Sequence, residues 1–185
     1  MRISFSPLSI PGAFSLSLPC KKDERGESVK SYTQFDFQQQ LVGFSPIETL
    51  WIHSNKGVLR GIHFQHTQEQ SKLIYCIQGE IFGIIVDLRQ KEKTFGQWCS
   101  VELQTSQECF VPSGCAFGSF ALQDAQMLVQ YGNNPYISHH NTGIRWDDPD
   151  LSIPWPLQSF GGKPILSSLD RSLPSFQDFL SSINK

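Results

Sequence analysis

Apolar and polar residues alternate along much of this chain in short runs, each broken by Gly, Pro, Ser or Asn before it reaches the length of a long helix. Alternation with period two puts successive side chains on opposite faces of a strand, and frequent breaks space the strands as in an all-β sandwich or barrel. Eight segments fit: SPIETLWIHS, GVLRGIHFQ, SKLIYCIQG, EIFGIIVDLR, GQWCSVEL, QECFVP, CAFGSFAL and AQMLVQYGN. Eight such strands predict a jelly roll. A hairpin is expected at CIQGEIFGII, where Gln78, Gly79 and Glu80 join two apolar runs. Helical spacing is confined to two places. Tyr32, Phe35, Phe37 and Leu41 predict a short peripheral helix capped at Gly43, and Phe176, Phe179, Leu180 and Ile183 predict a C-terminal helix over residues 174–185, packed on the sandwich.

GVLRGIHFQ carries two strongly polar side chains inside an otherwise small and apolar run. Strict alternation puts Leu59, Gly61, His63 and Gln65 on one face and Arg60, Ile62 and Phe64 on the other. For Arg60 and His63 to share a cavity the strand has to bulge between them, and Gly61 is the residue that permits it. In the plainer alternative Arg60 sits on the rim and His63 alone faces inward.

Composition narrows the function. The 185 residues, 39% of them hydrophobic, suffice for one domain over residues 1–185 with a sizeable core. A net charge of −2 supplies no general field for nucleic acid or an anionic membrane, so neither is expected as a partner. Five cysteines, an odd number without a CxxC pair, point to reduced thiols and a cytoplasmic protein. The opening MRISFSPLSIPGAFSLSLPC is interrupted by Pro7, Pro11 and Gly12 and does not read as a signal peptide. No run approaches the ~18–20 apolar residues of a membrane-spanning helix.

GVLRGIHFQ, SKLIYCIQGEIFGIIVDLR, TFGQW, VPSGCAFGSF and GIRWDDPDLSIPWP follow one another in the order and spacing of the dTDP-4-dehydrorhamnose 3,5-epimerase family, and KKDERG resembles its N-terminal signature. The resemblance runs from about Asp23 to Asp170. It implies a cupin-like jelly roll and a homodimer with exchanged N-terminal strands, acting without metal or organic cofactor on a nucleoside diphosphate-linked 4-keto-6-deoxy sugar. A hydrogen on a carbon beside a ketone is weakly acidic; its removal needs a base of near-neutral pKa and a donor for the enolate oxygen. The resemblance makes His63 that base, Asp170 in ILSSLDR the carboxylate that fixes its tautomer, and Lys72 the cation near the C4 oxygen. Arg60 and Arg25 match the arginines that grip the diphosphate, Arg25 reaching in from the partner subunit, and Glu48 and Gln65 stand at further positions expected to bind substrate. Metal-binding cupins are the rival on this fold, but His53, His63 and His66 form no HxH pair, and His139 and His140 stand in a polar stretch.

The chain also departs from the family pattern. Phe117 stands where the family has a histidine, and Val129 where it has its proton-donating tyrosine. Leu50, Ile52, Glu48 and Lys30 change binding positions. Tyr131, two residues beyond Val129 and so on the same strand face, is the expected substitute donor. The expectation is an epimerase acting at C3, C5 or both on a 4-keto-6-deoxy or dideoxy sugar, and these changes point to one specialised to a single carbon or to a modified substrate such as a dideoxy-4-ketose. The alternatives are a 3,4-ketoisomerase, which needs His66 to fold inward as a second proton carrier, and a paralogue that binds sugar nucleotides without turnover.

Overall fold

A computed structural model describes residues 2–40 and 44–183. In chain order the strands are β1 (Ser4–Pro7), β2 (Phe14–Ser17), β3 (Cys20–Asp23), β4 (Gly26–Val29), β5 (Pro46–Ser54), β6 (Leu59–Gln65), β7 (Ser71–Gln78), β8 (Glu80–Asp87), β9 (Trp98–Gln104), β10 (Gln107–Val111), β11 (Cys115–Ala121), β12 (Ala125–Gly132) and β13 (Asn141–Gly143). The helices are α1 (Gln34–Gln40), α2 (Ser168–Arg171) and α3 (Phe176–Ile183). A six-stranded sheet of order β1-β2-β10-β7-β12-β5 faces a five-stranded sheet of order β13-β6-β11-β8-β9, and β3 and β4 form a separate hairpin. This is the jelly roll that the alternation predicts. All eight expected strands form; β1 to β4 and β13, of three or four residues each, are too short to leave a readable period.

Alternation sorts the apolar residues into three layers. Ile74, Cys76, Ile81, Ile85, Leu103, Val111 and Met127 fill the space between the sheets. The outer face of the five-stranded sheet, with Leu59, Ile62, Ile84 and Phe120, is covered by Ile144, Leu151, Trp155, Phe176 and Phe179 from the C-terminal third. The outer face of the six-stranded sheet, with Leu16, Leu73 and Phe110, is covered by Phe37 of α1 and by Phe44. α1 is shorter than the spacing predicts, with Phe37 buried and Phe35 exposed; Leu41 and the expected cap Gly43 lie outside the described residues. The C-terminal helix begins at Phe176 rather than 174.

Two glycines decide the path of the chain. The hairpin expected at Gly79 does not form: β7 belongs to the six-stranded sheet and β8 to the five-stranded one, so the turn is a corner between sheets. Gly79 has φ +84°, and a Cβ there would collide with the Asp124 carbonyl oxygen. In β6 the expected bulge is present. His63 stands opposite Phe117 and Arg60 opposite Ser119, so three steps on β6 match two on β11. Gly61 takes φ +109°, and a Cβ there would lie 2.8 Å from the Phe117 carbonyl oxygen and 2.9 Å from the Gly118 Cα. Neither backbone atom can give way without opening the sheet. Gly61→Ala is therefore expected to destabilise the fold by about 2–4 kcal/mol, read as a lower denaturant midpoint.

Candidate active site

The bulge turns Arg60 and His63 to the same side, into a cavity of about 290 Å³ between the sheets. That is near the lower end of the ~300–1,000 Å³ of small-molecule sites, the size of a sugar ring with the rest of its molecule outside. β7 contributes Lys72; β12 contributes Met127, Val129 and Tyr131; β5 contributes Ile52; β11 contributes Phe117 and Ser119. Asp170 arrives from far along the chain. Ile165 pairs with the start of β6 through Leu59 N–H to Ile165 O and Ile165 N–H to Gly57 O, and this sets α2 beside the bulge. Trp155, held by a bond from its indole N–H to the Trp146 carbonyl, packs the intervening WDDPDLSIPWP segment against the same sheet.

Asp170 is almost fully buried, and its Oδ1 lies 2.7 Å from His63 Nε2 and 3.1 Å from the Gly61 N–H. Burial works to raise the carboxyl pKa, but bonds from His63, Ser167 and the Gly61 amide outweigh it and hold the group down at about 2. An ionised carboxylate accepts and cannot donate, so it selects the Nε2–H tautomer. Nδ1 is the nitrogen left to take a proton. The backbone carbonyl of Thr142 lies 3.4 Å from it, at the long limit of a hydrogen bond.

Lys72 is 7% exposed and donates to the His63 carbonyl oxygen at 2.9 Å. Burial lowers its pKa to about 8. The ammonium is thus charged at neutral pH and loses its charge as pH rises through about 8. Turnover is expected to fall over the same interval, and Lys72→Arg, whose guanidinium stays charged, to flatten that limb of the kcat/KM–pH profile. Tyr131 stands opposite Lys72 across β7 and β12. Burial, with contributions from Tyr136 and Glu48, raises its phenol to about 12, so it keeps its proton over the working range.

Of the eight candidate catalytic and binding residues, five thus line one cavity: Arg60, His63, Lys72, Tyr131 and Asp170. Arg60 is braced at Nε by Ser54 Oγ (2.9 Å) and through an Nη by the His53 carbonyl (3.1 Å), which uses part of its donor set and leaves the guanidinium at the cavity wall. The other three lie elsewhere. Arg25 is exposed in the β3–β4 hairpin and pairs with Asp23 at 2.6 Å. Gln65 gives its amide to the Gln68 and Pro135 carbonyls and accepts from the Ile137 N–H, and Glu48 accepts from the Tyr136 N–H; both brace the 135–137 loop instead of facing the cavity. His66 lies in an outer groove with His139 and His140, so the second proton carrier of a ketoisomerase is outside the cavity. Lys30 is exposed. Phe117 lies over Gly83 and closes one wall, and Val129 and Ile52 make another apolar. Tyr136, Asn141, Gln70 and Ser167 also line the cavity. Of these only Ser167 left a sequence signal, as a helix N-cap three residues before an acidic one.

Fold and cavity together are those of a jelly-roll isomerase. The chain belongs to the dTDP-4-dehydrorhamnose 3,5-epimerase family, whose model matches residues 7–178. It is 36% identical over 170 residues to the dTDP-4-dehydrorhamnose 3,5-epimerase of Methanothermobacter thermautotrophicus, a match covering 91% of each chain. Its fold is similar to that of the Legionella pneumophila 3,5-epimerase RmlC in complex with dTDP-4-keto-L-rhamnose, with TM-score 0.89, 29% identity and coverage of 95% of this chain and 94% of that one. ChmJ, a 3'-monoepimerase from Streptomyces bikiniensis in complex with dTDP-quinovose, matches with TM-score 0.85 and 28% identity over 98% of this chain and 91% of its own.

Proposed function

We propose that this epimerase acts on a nucleoside diphosphate-linked 4-keto-6-deoxy or dideoxy sugar and inverts C3, C5 or both through an enolate. The observation that carries the reading is the convergence of His63, Asp170, Lys72 and Tyr131 on one cavity of sugar-ring size. In the proposed reaction His63, paired with Asp170, takes the proton from the carbon beside the ketone, and the Lys72 ammonium holds the charge that develops on the ketone oxygen. Inversion requires a proton from the opposite face, and Tyr131, protonated and in the same cavity, supplies it. The apolar surface of Phe117, Val129 and Ile52 offers no partner to a hydroxyl, which favours a substrate deoxygenated where it meets that wall. The guanidinium of Arg60 takes the diphosphate.

Arg25 is exposed, paired with Asp23, and not among the residues lining the cavity of its own chain, and β5 is an edge strand that exposes Trp51 and Ile47. Both features support a homodimer in which each hairpin lends its arginine to the other subunit. Free cysteines, three of them buried, agree with a cytoplasmic site of action, and among the described residues no helix is long and apolar enough to cross a membrane.

Incubation in D₂O with dTDP-, CDP- and GDP-linked 4-keto sugars, followed by NMR, tests the reading. Label is expected at C3, at C5 or at both with at least one substrate; absence of label from all of them makes the chain a binding paralogue. Tyr131→Phe is expected to reduce inverted product far more than it reduces exchange, because His63 still removes the proton and returns it to the same face. Equal small losses in the two readouts would assign the donor to water.

A further inference from the structure

Asp170 receives more donors than its partnership with His63 requires. Oδ1 accepts from His63 and from the Gly61 N–H, while Oδ2, on the other side of the carboxylate, accepts the Ser167 hydroxyl at 2.6 Å. Ser167 is also the N-cap of α2, where its Oγ accepts the Asp170 N–H at 3.1 Å. A serine acting only as a cap uses its lone pair and leaves its proton to water. Here the proton is committed to a buried anion, in the short geometry of a charge-assisted bond.

We propose that Ser167 is a positioning residue for the proton transfer: its hydroxyl, with the Gly61 N–H, keeps Asp170 aimed at His63 Nε2, so that Nδ1 is the nitrogen left to take a proton. The proposal rests on the reading of His63 as the base. Without the hydroxyl, Oδ2 is a buried acceptor lacking its donor, and the penalty falls on the ionised carboxylate. The carboxylate then loses its orientation, and with it its hold on the imidazole tautomer. Ser167 and Gly61 act from opposite sides, so the aspartate cannot swing away from the histidine without breaking one of the two bonds.

Three variants separate positioning from capping. Ser167→Thr keeps a hydroxyl that both caps and donates. Ser167→Gly removes the donor while costing the helix start little, because glycine is tolerated at an N-cap, and Ser167→Ala removes donor and cap together. Imidazole ¹⁵N NMR on the full chain without substrate is expected to show one Nε2–H tautomer for His63 in the wild type and in Ser167→Thr, and a mixture in Ser167→Gly and Ser167→Ala. In turnover, Ser167→Gly and Ser167→Ala are expected to lose about 10–100-fold in kcat with KM little changed, and Ser167→Thr to restore it. A single Nε2–H tautomer and wild-type kcat in Ser167→Gly would reduce Ser167 to a helix cap and overturn the proposal. The tautomer is read without substrate, so failure of the epimerase reading appears separately, as hydrogen exchange that survives His63→Asn.

Discussion

His63→Asn is expected to abolish hydrogen exchange at the carbon beside the ketone while sparing nucleotide binding. The substitution leaves the Gly61 N–H and the Ser167 hydroxyl on Asp170, so the carboxylate keeps two of its partners and the bulge in β6 keeps its shape. Asparagine has no basic nitrogen. The loss is expected at the upper end of what a general base contributes, about 10⁴-fold. Binding is spared because the proposed diphosphate contact is made by Arg60, which Ser54 and the His53 carbonyl hold independently of His63. Titration with the free nucleoside diphosphate beside the D₂O exchange assay separates the two effects. Exchange at near-wild-type rate would remove His63 from the mechanism.

Asp170→Asn tests the other half of the pair and is expected to lower turnover by roughly 10²–10⁴-fold without loss of the fold, as in other histidine–carboxylate pairs. An asparagine amide that donates to Nε2 forces the proton onto Nδ1, next to the Thr142 carbonyl, and the nitrogen that should accept a proton is already occupied. The substitution also changes the response to acid. The folded carboxyl titrates at about 2, below its ordinary value of roughly 4, so the stability it contributes is fully present above the higher value and is lost as pH falls through the lower one. Wild-type protein is expected to lose stability across that window, and the asparagine variant to lack this part of the dependence. Denaturant midpoints measured between the two values check it. Near-wild-type turnover in the variant would show that tautomer control does not limit the reaction.

How far the site was legible depends on chain distance. Arg60, Gly61 and His63 stand in one short run, and the conflict between two polar side chains and strict alternation was enough to offer a bulge at Gly61 as one of two readings. Asp170 is 107 residues from His63, and no local pattern links them; only the resemblance of ILSSLDR to a family motif did. Glu48 and Gln65 fall outside the cavity lining for the opposite reason. Both stand on strands that border the cavity, but a loop with free backbone N–H and C=O groups lies beside them, and a side chain that can satisfy those groups turns toward them.

Local pattern was sufficient wherever one physical demand acts on neighbouring residues. Burying alternate side chains demands period two, and that alone carries the eight long strands and the all-β class; the structure follows the same rule where Leu73 and Ile74 fall on opposite faces of one sheet. The sequence by itself also placed a glycine where β6 must bulge. Three things were decided only when the chain closed on itself. A glycine between apolar runs serves a hairpin and a corner between sheets equally well, and which one Gly79 makes depends on which strands β7 and β8 find as partners. The five shortest strands exist because neighbours offer them hydrogen bonds, not because their own residues repeat. The pairing of His63 with Asp170 needs Ile165 bonded to the start of β6 and the tryptophan-rich segment packed on the outer face of the sheet. Backbone pairing and burial between distant segments are cooperative, so their outcome is a property of the closed fold and not of any stretch of residues taken alone.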